Sequence, residues 1–367
     1  MPDFLPPALL AQRDAVHELA LRVLQPLRDD LGLDDEARAA QVRRTSKSAG
    51  LYALTQDEAT PELQLLVLRE ALASHGVGHL RGLFGAGAGV LAGATEPLRS
   101  SHLLPLLAGD KRAGFAFTEP ADTPRPTWAS ADGEQHLQVT GRKSYVSGGA
   151  DAHFLNVLVD IEGQGPAMVV IDTDSPGVTL QRRFVSLDGS HHAAFEFDAV
   201  RVPRQQVIGA PGDGRGRALA SISRVRRAIA ADCSGSIAWI IDLVARELQR
   251  ERRGGARAAS ERVRLRYGDM RIQAFGVRAA VYRAARLADA GEDAVNESIA
   301  AKLIASETAN RLVDRAVQLV GGEALVAGHP LEQALRRLRA TRLSEGESDT
   351  LRVSVARGHL DLGKGRL

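Results

Sequence analysis

Arginine is the residue type whose abundance and clustering could do chemistry. Among 47 basic residues, lysine accounts only for Lys47, Lys111, Lys143, Lys302 and Lys364. Arginine supplies the rest, and many lie between Arg224 and Arg283. Clustered guanidinium groups neutralise phosphate, so a nucleic acid or a phosphate-bearing cofactor is a candidate partner. Helix faces balanced by nearby acids are the alternative. A formal net charge of +2 weighs against nucleic acid. Three familiar patterns lack their frames. Gly87-Ala-Gly89-Val-Leu-Ala92 matches G-x-G-x-x-A, but a helical, histidine-containing segment precedes it where a dinucleotide fingerprint needs a strand. His191-His192 has no H-E-x-x-H frame and lies at a turn before a strand, which favours surface residues over metal ligands. No P-loop occurs, and the serines near acids sit in no G-x-S-x-G elbow. Glu345, Glu347 and Asp349 form an acidic run that, by itself, reads as a solvated loop.

The elements that must position such groups change texture twice along the 367 residues. Residues 1–113 read as helical. Leu9, Leu10, Val16, Leu19, Val23 and Leu24 recur at three and four spacing, and Thr60-Pro61-Glu62 reads as a threonine-capped helix start. Pro97 and Pro105 punctuate two short helices, for five or six in all. Residues 114–205 hold β-like runs at 136–141, 154–160, 167–172 and 194–202, the last alternating Phe195/Phe197 against Glu196/Asp198. Glycines at 133, 148, 149, 163 and 177 supply turns. Residues 206–367 return to long helices over 229–248, 263–288 and 294–320, then 331–338 and 351–360. The expectation is an α+β chain: an N-terminal helical domain, a middle antiparallel β-barrel-like domain and a C-terminal four-helix bundle.

Composition excludes several classes. With 44% hydrophobic and 25% charged residues the chain is neither disordered nor collagen-like. No 18 apolar residues run uninterrupted, and Met1-Pro2-Asp3-Phe4 lacks the basic start of a signal peptide, so neither a membrane span nor export is expected. Cys233, the one cysteine, can form no intrachain disulfide or multi-cysteine metal site, as expected of a reduced, cytoplasmic protein.

Four segments, in order, carry a stronger signal. They are Gly114-Phe-Ala-Phe-Thr-Glu-Pro120 after Leu103-Leu-Pro-Leu-Leu-Ala-Gly109; Gly141-Arg-Lys143-Ser-Tyr145-Val-Ser147-Gly-Gly149; and Phe195-Glu-Phe-Asp-Ala-Val-Arg-Val-Pro203. The fourth is Gln318-Leu-Val-Gly321-Gly322, followed by Pro330-Leu-Glu332, Ser344-Glu345-Gly346 and Arg352-Val-Ser-Val-Ala-Arg357. Together they resemble the acyl-CoA dehydrogenase family over nearly the whole chain. The resemblance implies an FAD enzyme that forms an α,β-double bond in an acyl thioester carried by CoA or an acyl carrier protein. A carboxylate removes the α-proton while the β-hydride passes to flavin N5.

Residue by residue, the resemblance makes Glu345 the base. Some branches place it instead just before the arginine that corresponds to Arg226; here that residue is Val225, which cannot act as one. Arg226 and Gly346 would lie against base or substrate. Phe117 and Thr118 match the stretch that meets the pyrimidine side of the flavin, Tyr145 the aromatic residue covering the ring, and Ser147 the hydroxyl that bonds N5. Gln318, Gly321 and Gly322 match the turn that meets the adenosine half from a neighbouring subunit, and Arg250 a pyrophosphate-binding arginine, also from a neighbour. Glu347 and Asp349 fall where the last helix approaches the cofactor.

The departures from the pattern are specific. Ala121-Asp-Thr-Pro-Arg-Pro126 replaces a small glycine-serine turn, leaving Thr123 to stand in for a serine at cofactor phosphate or substrate. Arg252-Arg253-Gly254 replaces a Thr-Phe-Gly, Glu261 a glutamine, and Ser344 an aromatic. The implied partners are a homo-oligomer or a heteromer, with an electron-transfer flavoprotein or oxygen as acceptor. A flavin-dependent monooxygenase on the same frame, or a degenerate or DNA-associated subunit, are the alternatives. Glu345 argues against the first, and the arginine-rich 246–278 stretch is the evidence for the second.

Overall fold

The structure is a computed structural model that describes residues 4–250, 260–365 and 367. The departures at Arg252, Arg253 and Gly254 lie outside the described residues. Compactness divides the chain into two units: a helical one of residues 1–84 and 223–367, and a sheet-containing one of residues 85–222.

In the helical unit α1 (Pro7–Leu19) continues through a π-helical turn, Ala20–Leu24, into α2 (Gln25–Asp29). Pro26 offers no N–H to the carbonyl four residues back, and the widened turn before it absorbs the missing bond. Helix α3 (Asp35–Ser48) starts on Asp34, whose carboxylate accepts the Ala37 N–H at 2.7 Å. Helix α4 (Glu62–Ala73) corrects the expectation of a threonine cap. No side chain of its own caps it; Asp289 reaches in to accept the Glu62 and Leu63 N–H groups at 2.6 and 3.0 Å.

The sheet unit begins with α5 (Leu104–Ala108), again reached through a π-helical turn, Arg99–Leu103, two residues before a proline. Eight strands follow: β1 (Ala113–Ala116), β2 (Trp128–Asp132), β3 (His136–Ser147), β4 (Phe154–Ile161), β5 (Gly165–Asp172), β6 (Val178–Val185), β7 (His191–Pro203) and β8 (Val207–Ile208). They pair in the order β6-β7-β3-β1-β4-β5-β8, with β2 against β3 and β4. Both β1 and β2 run parallel to β4, so the sheet is mixed where an antiparallel one was expected. Alternation decides the facing: Phe195 and Phe197 of β7 are buried beside Leu137, Val139 and Val157. Irregular register between Lys143 and Val146 breaks the β3–β7 ladder and turns Tyr145 to φ +52°.

Helix α6 (Gly214–Gln249) begins in the sheet unit and runs on into the helical one. Its length and composition would suit a membrane crossing, yet Ala230, Ile237, Ile240 and Val244 are buried in the helical core. There they meet α7 (Glu261–Asp289) and α8 (Val295–Val320) through Val281, Tyr282, Leu312 and Val313. Helices α9 (Pro330–Thr341) and α10 (Ser348–Leu360) complete the unit. Much of the arginine excess is consumed here. Arg224 and Arg227 pair with Glu62 at 2.7 and 2.9 Å, and Arg278 with buried Glu70 at 3.0 Å.

Candidate active site

In the helical unit the α9–α10 turn carries Glu345. Its backbone is left-handed, φ +54°, a conformation that costs a non-glycine residue about 1–2 kcal/mol. Gly346 follows at φ +118°, and a Cβ there would come within 2.7 Å of Leu351 Cδ2, so only glycine fits. Two cations from different helices hold this turn by its carbonyl groups. From α6, Arg226 Nε donates to the Glu345 carbonyl at 2.9 Å. From α8, the fully buried Lys302 donates through Nζ to the Gly346 carbonyl at 2.8 Å and the Arg342 carbonyl at 3.3 Å.

The Glu345 carboxylate itself accepts no hydrogen bond among the described residues. Burial pushes its pKa above the ordinary 4.5, against the pull of Arg226 and Lys302. Burial likewise lowers Lys302 to about 8, helped by the Arg226 charge. Val225, the residue before Arg226, is exposed and aliphatic. A desolvated carboxyl with unengaged oxygens, fixed through its own backbone, can take a proton from a carbon acid.

The neighbouring acids are engaged otherwise. Glu347 caps α10, accepting the Asp349 and Thr350 N–H groups at 2.9 Å each, and Asp349 pairs with Arg352 at 2.9 Å. Gln318, Gly321 and Gly322 stand at the far end of α8, sixteen or more residues beyond Lys302, about 24 Å along a helix axis. Gln318 is exposed, and both glycines face open space. Arg250 is exposed and pairs with Glu247 at 3.1 Å. The structure therefore brings Glu345, Gly346 and Arg226 together, gives the adjacent Glu347 and Asp349 other partners, and leaves Gln318, Gly321, Gly322 and Arg250 apart from them within one chain.

The sheet unit gathers the second group. Phe117 stacks on Phe115 with ring centroids 6.0 Å apart. The segment they lead into is tied to β3 twice: the Ser144 N–H donates to the Thr118 carbonyl at 2.8 Å, and buried Lys143 donates to the Phe117 carbonyl at 3.3 Å. Lys143 also pairs with Glu119 at 2.8 Å, and Glu119 accepts the Thr127 N–H at 2.7 Å. Burial raises the Glu119 pKa, but the bonds from Lys143 and Thr127 outweigh it and hold the carboxyl below its ordinary value. Thr118 and Ser147 are exposed, as is Tyr145, at 64%. Tyr145 meets Phe184 edge-on at 5.1 Å. The Thr123 hydroxyl is buried without a hydrogen-bond partner among the described residues.

Two residues of these clusters escape motif reading. His192, half of the pair read as a surface feature, lies 3.3 Å through Nδ1 from Ser147 Oγ and stacks on Phe184 at 5.5 Å. Its strand position opposite Ser147 in the β3–β7 ladder was the available signal. Lys302 had no local signal, since a lysine among apolar helix residues reads as a solvated face.

Comparison with known proteins identifies the frame. The family model "Acyl-CoA dehydrogenase, C-terminal domain" matches residues 212–360. Human mitochondrial short-chain specific acyl-CoA dehydrogenase is 27% identical over 282 residues, covering 74% of this chain and 68% of that protein. The chain is similar to the acyl-CoA dehydrogenase family. The Mycobacterium tuberculosis protein named "Probable acyl-CoA dehydrogenase FadE10" is 31% identical over 74% of this chain, and the match spans 45% of its own length. The fold also superposes, at a TM-score of 0.82 and 18% identity, on a glutaryl-CoA dehydrogenase from Mycobacterium smegmatis solved in complex with FADH2. That match covers 99% of this chain and 96% of that one.

Proposed function

We propose that this chain is an FAD-dependent acyl-CoA dehydrogenase in which Glu345 removes the α-proton of the acyl thioester. The observation that carries the reading is the Glu345 turn, where the carboxyl is desolvated and free while its backbone is fixed by Arg226 and Lys302. A raised pKa makes the base stronger than an ordinary glutamate, and its proton affinity moves towards that of a weakly acidic carbon. FAD, when bound, supplies the acceptor for the β-hydride. The residues of the sheet unit fit such a group: Tyr145 offers an exposed ring, Thr118 and Ser147 offer exposed hydroxyls, and the Thr123 hydroxyl is buried without a partner. Ser147 would donate to the flavin ring, and His192, in contact with Ser147, would orient that hydroxyl.

Gln318, Gly321, Gly322 and Arg250 act in this reading on the cofactor of a second copy. The distance of Gln318, Gly321 and Gly322 along α8 from Lys302, which holds the Glu345 turn, supports that, as do Leu265, Ile272 and Phe275, all more than 70% exposed on α7. A homo-oligomer follows, with an electron-transfer flavoprotein or oxygen taking the electrons. CoA is the carrier argued for here; the same phosphopantetheine thioester on a carrier protein would present identical reacting atoms.

The test is anaerobic titration of the FAD-loaded protein with a panel of acyl-CoAs. Flavin absorbance that bleaches with one acyl chain supports the reading and names the substrate class; flavin that stays oxidised with every acyl-CoA overturns it.

A further inference from the structure

Lys302 is fully buried, and among the described residues no carboxylate lies within ion-pair distance of its ammonium. A buried ammonium is costly unless its surroundings answer it, and an apolar side chain of similar length would pack in a helical core at lower cost. The answering groups here are two carbonyl oxygens, those of Arg342 and Gly346. They bracket Glu345 in sequence, one at the end of α9 and the other directly after the base. The turn between them holds two consecutive left-handed residues, which isolated chain would leave.

We propose that Lys302 is the positioning residue for proton abstraction, its ammonium holding the Glu345 turn in shape through the Arg342 and Gly346 carbonyls. The proposal rests on Glu345 being the base. Arg226 holds the same turn at the Glu345 carbonyl, so the two cations grip three carbonyls from two helices. The division of labour differs. Arg226 remains charged at any working pH, whereas Lys302, lowered by burial to about 8, releases its proton at mildly alkaline pH. The charged and titratable groups facing Lys302 are Arg226 and Cys233 from α6, Glu345 from the turn and Glu307 from its own helix. Of these Cys233 is held up to about 12, and Glu307 is held ionised by Arg352, so neither titrates in the same range. Loss of the Lys302 proton removes a donor from the turn and a cation from beside the base. Activity then falls as pH rises through about 8, with the fold intact.

Stability should move the other way. The folded-state value lies below the unfolded 10.5, so between these two the unfolded chain binds the more protons, and stability rises with pH. A lysine that merely packed would give that stability trend without an alkaline limb in activity.

The experiment compares the FAD-loaded wild type with Lys302→Arg and Lys302→Met. The readouts are kcat and KM from pH 6 to 10, the α-deuterium isotope effect on kcat, and the urea midpoint at pH 7.5 and 10. For Lys302→Met we expect kcat down about 100-fold, KM within about threefold and a larger isotope effect, because a displaced base slows the proton step alone. Lys302→Arg keeps its charge, so its alkaline limb should move up by two pH units or more. It should also lose the wild type's gain in urea midpoint. A wild-type profile with no alkaline limb, or a limb at the same pH in Lys302→Arg, overturns the proposal, and this comparison stands even if Lys302→Met does not fold. Glu345→Gln separates the two levels. Near-normal turnover in that variant removes the base itself, whereas an inactive Glu345→Gln beside a fully active Lys302→Met removes only the role given to Lys302.

Discussion

Two buried lysines hold the two candidate regions, and they do so differently. In the sheet unit, Lys143 reaches the Phe117 carbonyl and is paired with the Glu119 carboxylate at 2.8 Å. In the helical unit, Lys302 meets carbonyl groups alone among the described residues. A counter-ion fixes the charge of Lys143: burial lowers its pKa and the Glu119 bond pulls it back. Among the described residues no carboxylate pairs with Lys302, which is lowered to about 8. The lesson is that one side chain type serves as a permanent clamp or as a titratable one, according to whether a carboxylate or only carbonyl dipoles receive it. The chemistry each region would perform matches. A flavin-facing loop needs constant shape, whereas a base needs a desolvated setting that shifts its own proton affinity.

The largest expected effect lies on the helical side. Glu345→Gln should retain flavin colour and lose about 10²- to 10⁴-fold in flavin reduction by substrate, the usual contribution of a general base. Stopped-flow bleaching would measure it, and near-normal reduction would leave the helical region with no chemistry to compare. Next comes Lys143→Met, which strands Glu119 and should cost about 3 kcal/mol in denaturant unfolding. The double variant Lys143→Met/Glu119→Gln should recover part of that, giving a coupling of at least about 1 kcal/mol in a double-mutant cycle. Lys302→Met leaves no carboxylate behind and should cost less stability than Lys143→Met; the reverse order would break the comparison.

A smaller effect concerns acid pH. Because burial raises the Glu345 pKa, the rate should climb with pH through a limb lying above 4.5, as the carboxyl gives up its proton to become the base. A pH profile of kcat already flat down to pH 4.5 would mean that the carboxyl is not desolvated in the working enzyme. The smallest change should follow Ser147→Ala. Removing one neutral hydrogen bond to the flavin ring weakens FAD binding by about 1 kcal/mol, roughly fivefold, in a fluorescence titration of the apoprotein.

Much of the architecture was legible because it rests on local periodicity. The alternation at Phe195 and Phe197 marked β7, and the apolar stripe over 229–248 marked the buried half of α6. What escaped depends on partners far along the chain. Strand β1 has four residues and β6 exposes Gln181, Arg182 and Arg183, so neither shows a burial rhythm strong enough to read. The parallel pairing of β1 and β2 with β4 is a long-range choice that no local alternation encodes. The cap of α4 comes from Asp289, more than two hundred residues away, in place of Thr60 next door. The same holds at the site. Glu345 could be singled out from its place in an ordered set of motifs, but Lys302 acquires meaning only when α8 meets the turn at 342–346.

The chain's single cysteine, Cys233, is buried, and burial pushes its thiol up to about 12. A thiol that neither ionises at neutral pH nor reaches solvent is silent towards maleimides. A cysteine placed at exposed Ser344 would therefore be the one site to accept a dye, without first removing the native residue. The label would sit next to Glu345, and its emission would follow the candidate turn directly as an acyl-CoA is added or pH changes.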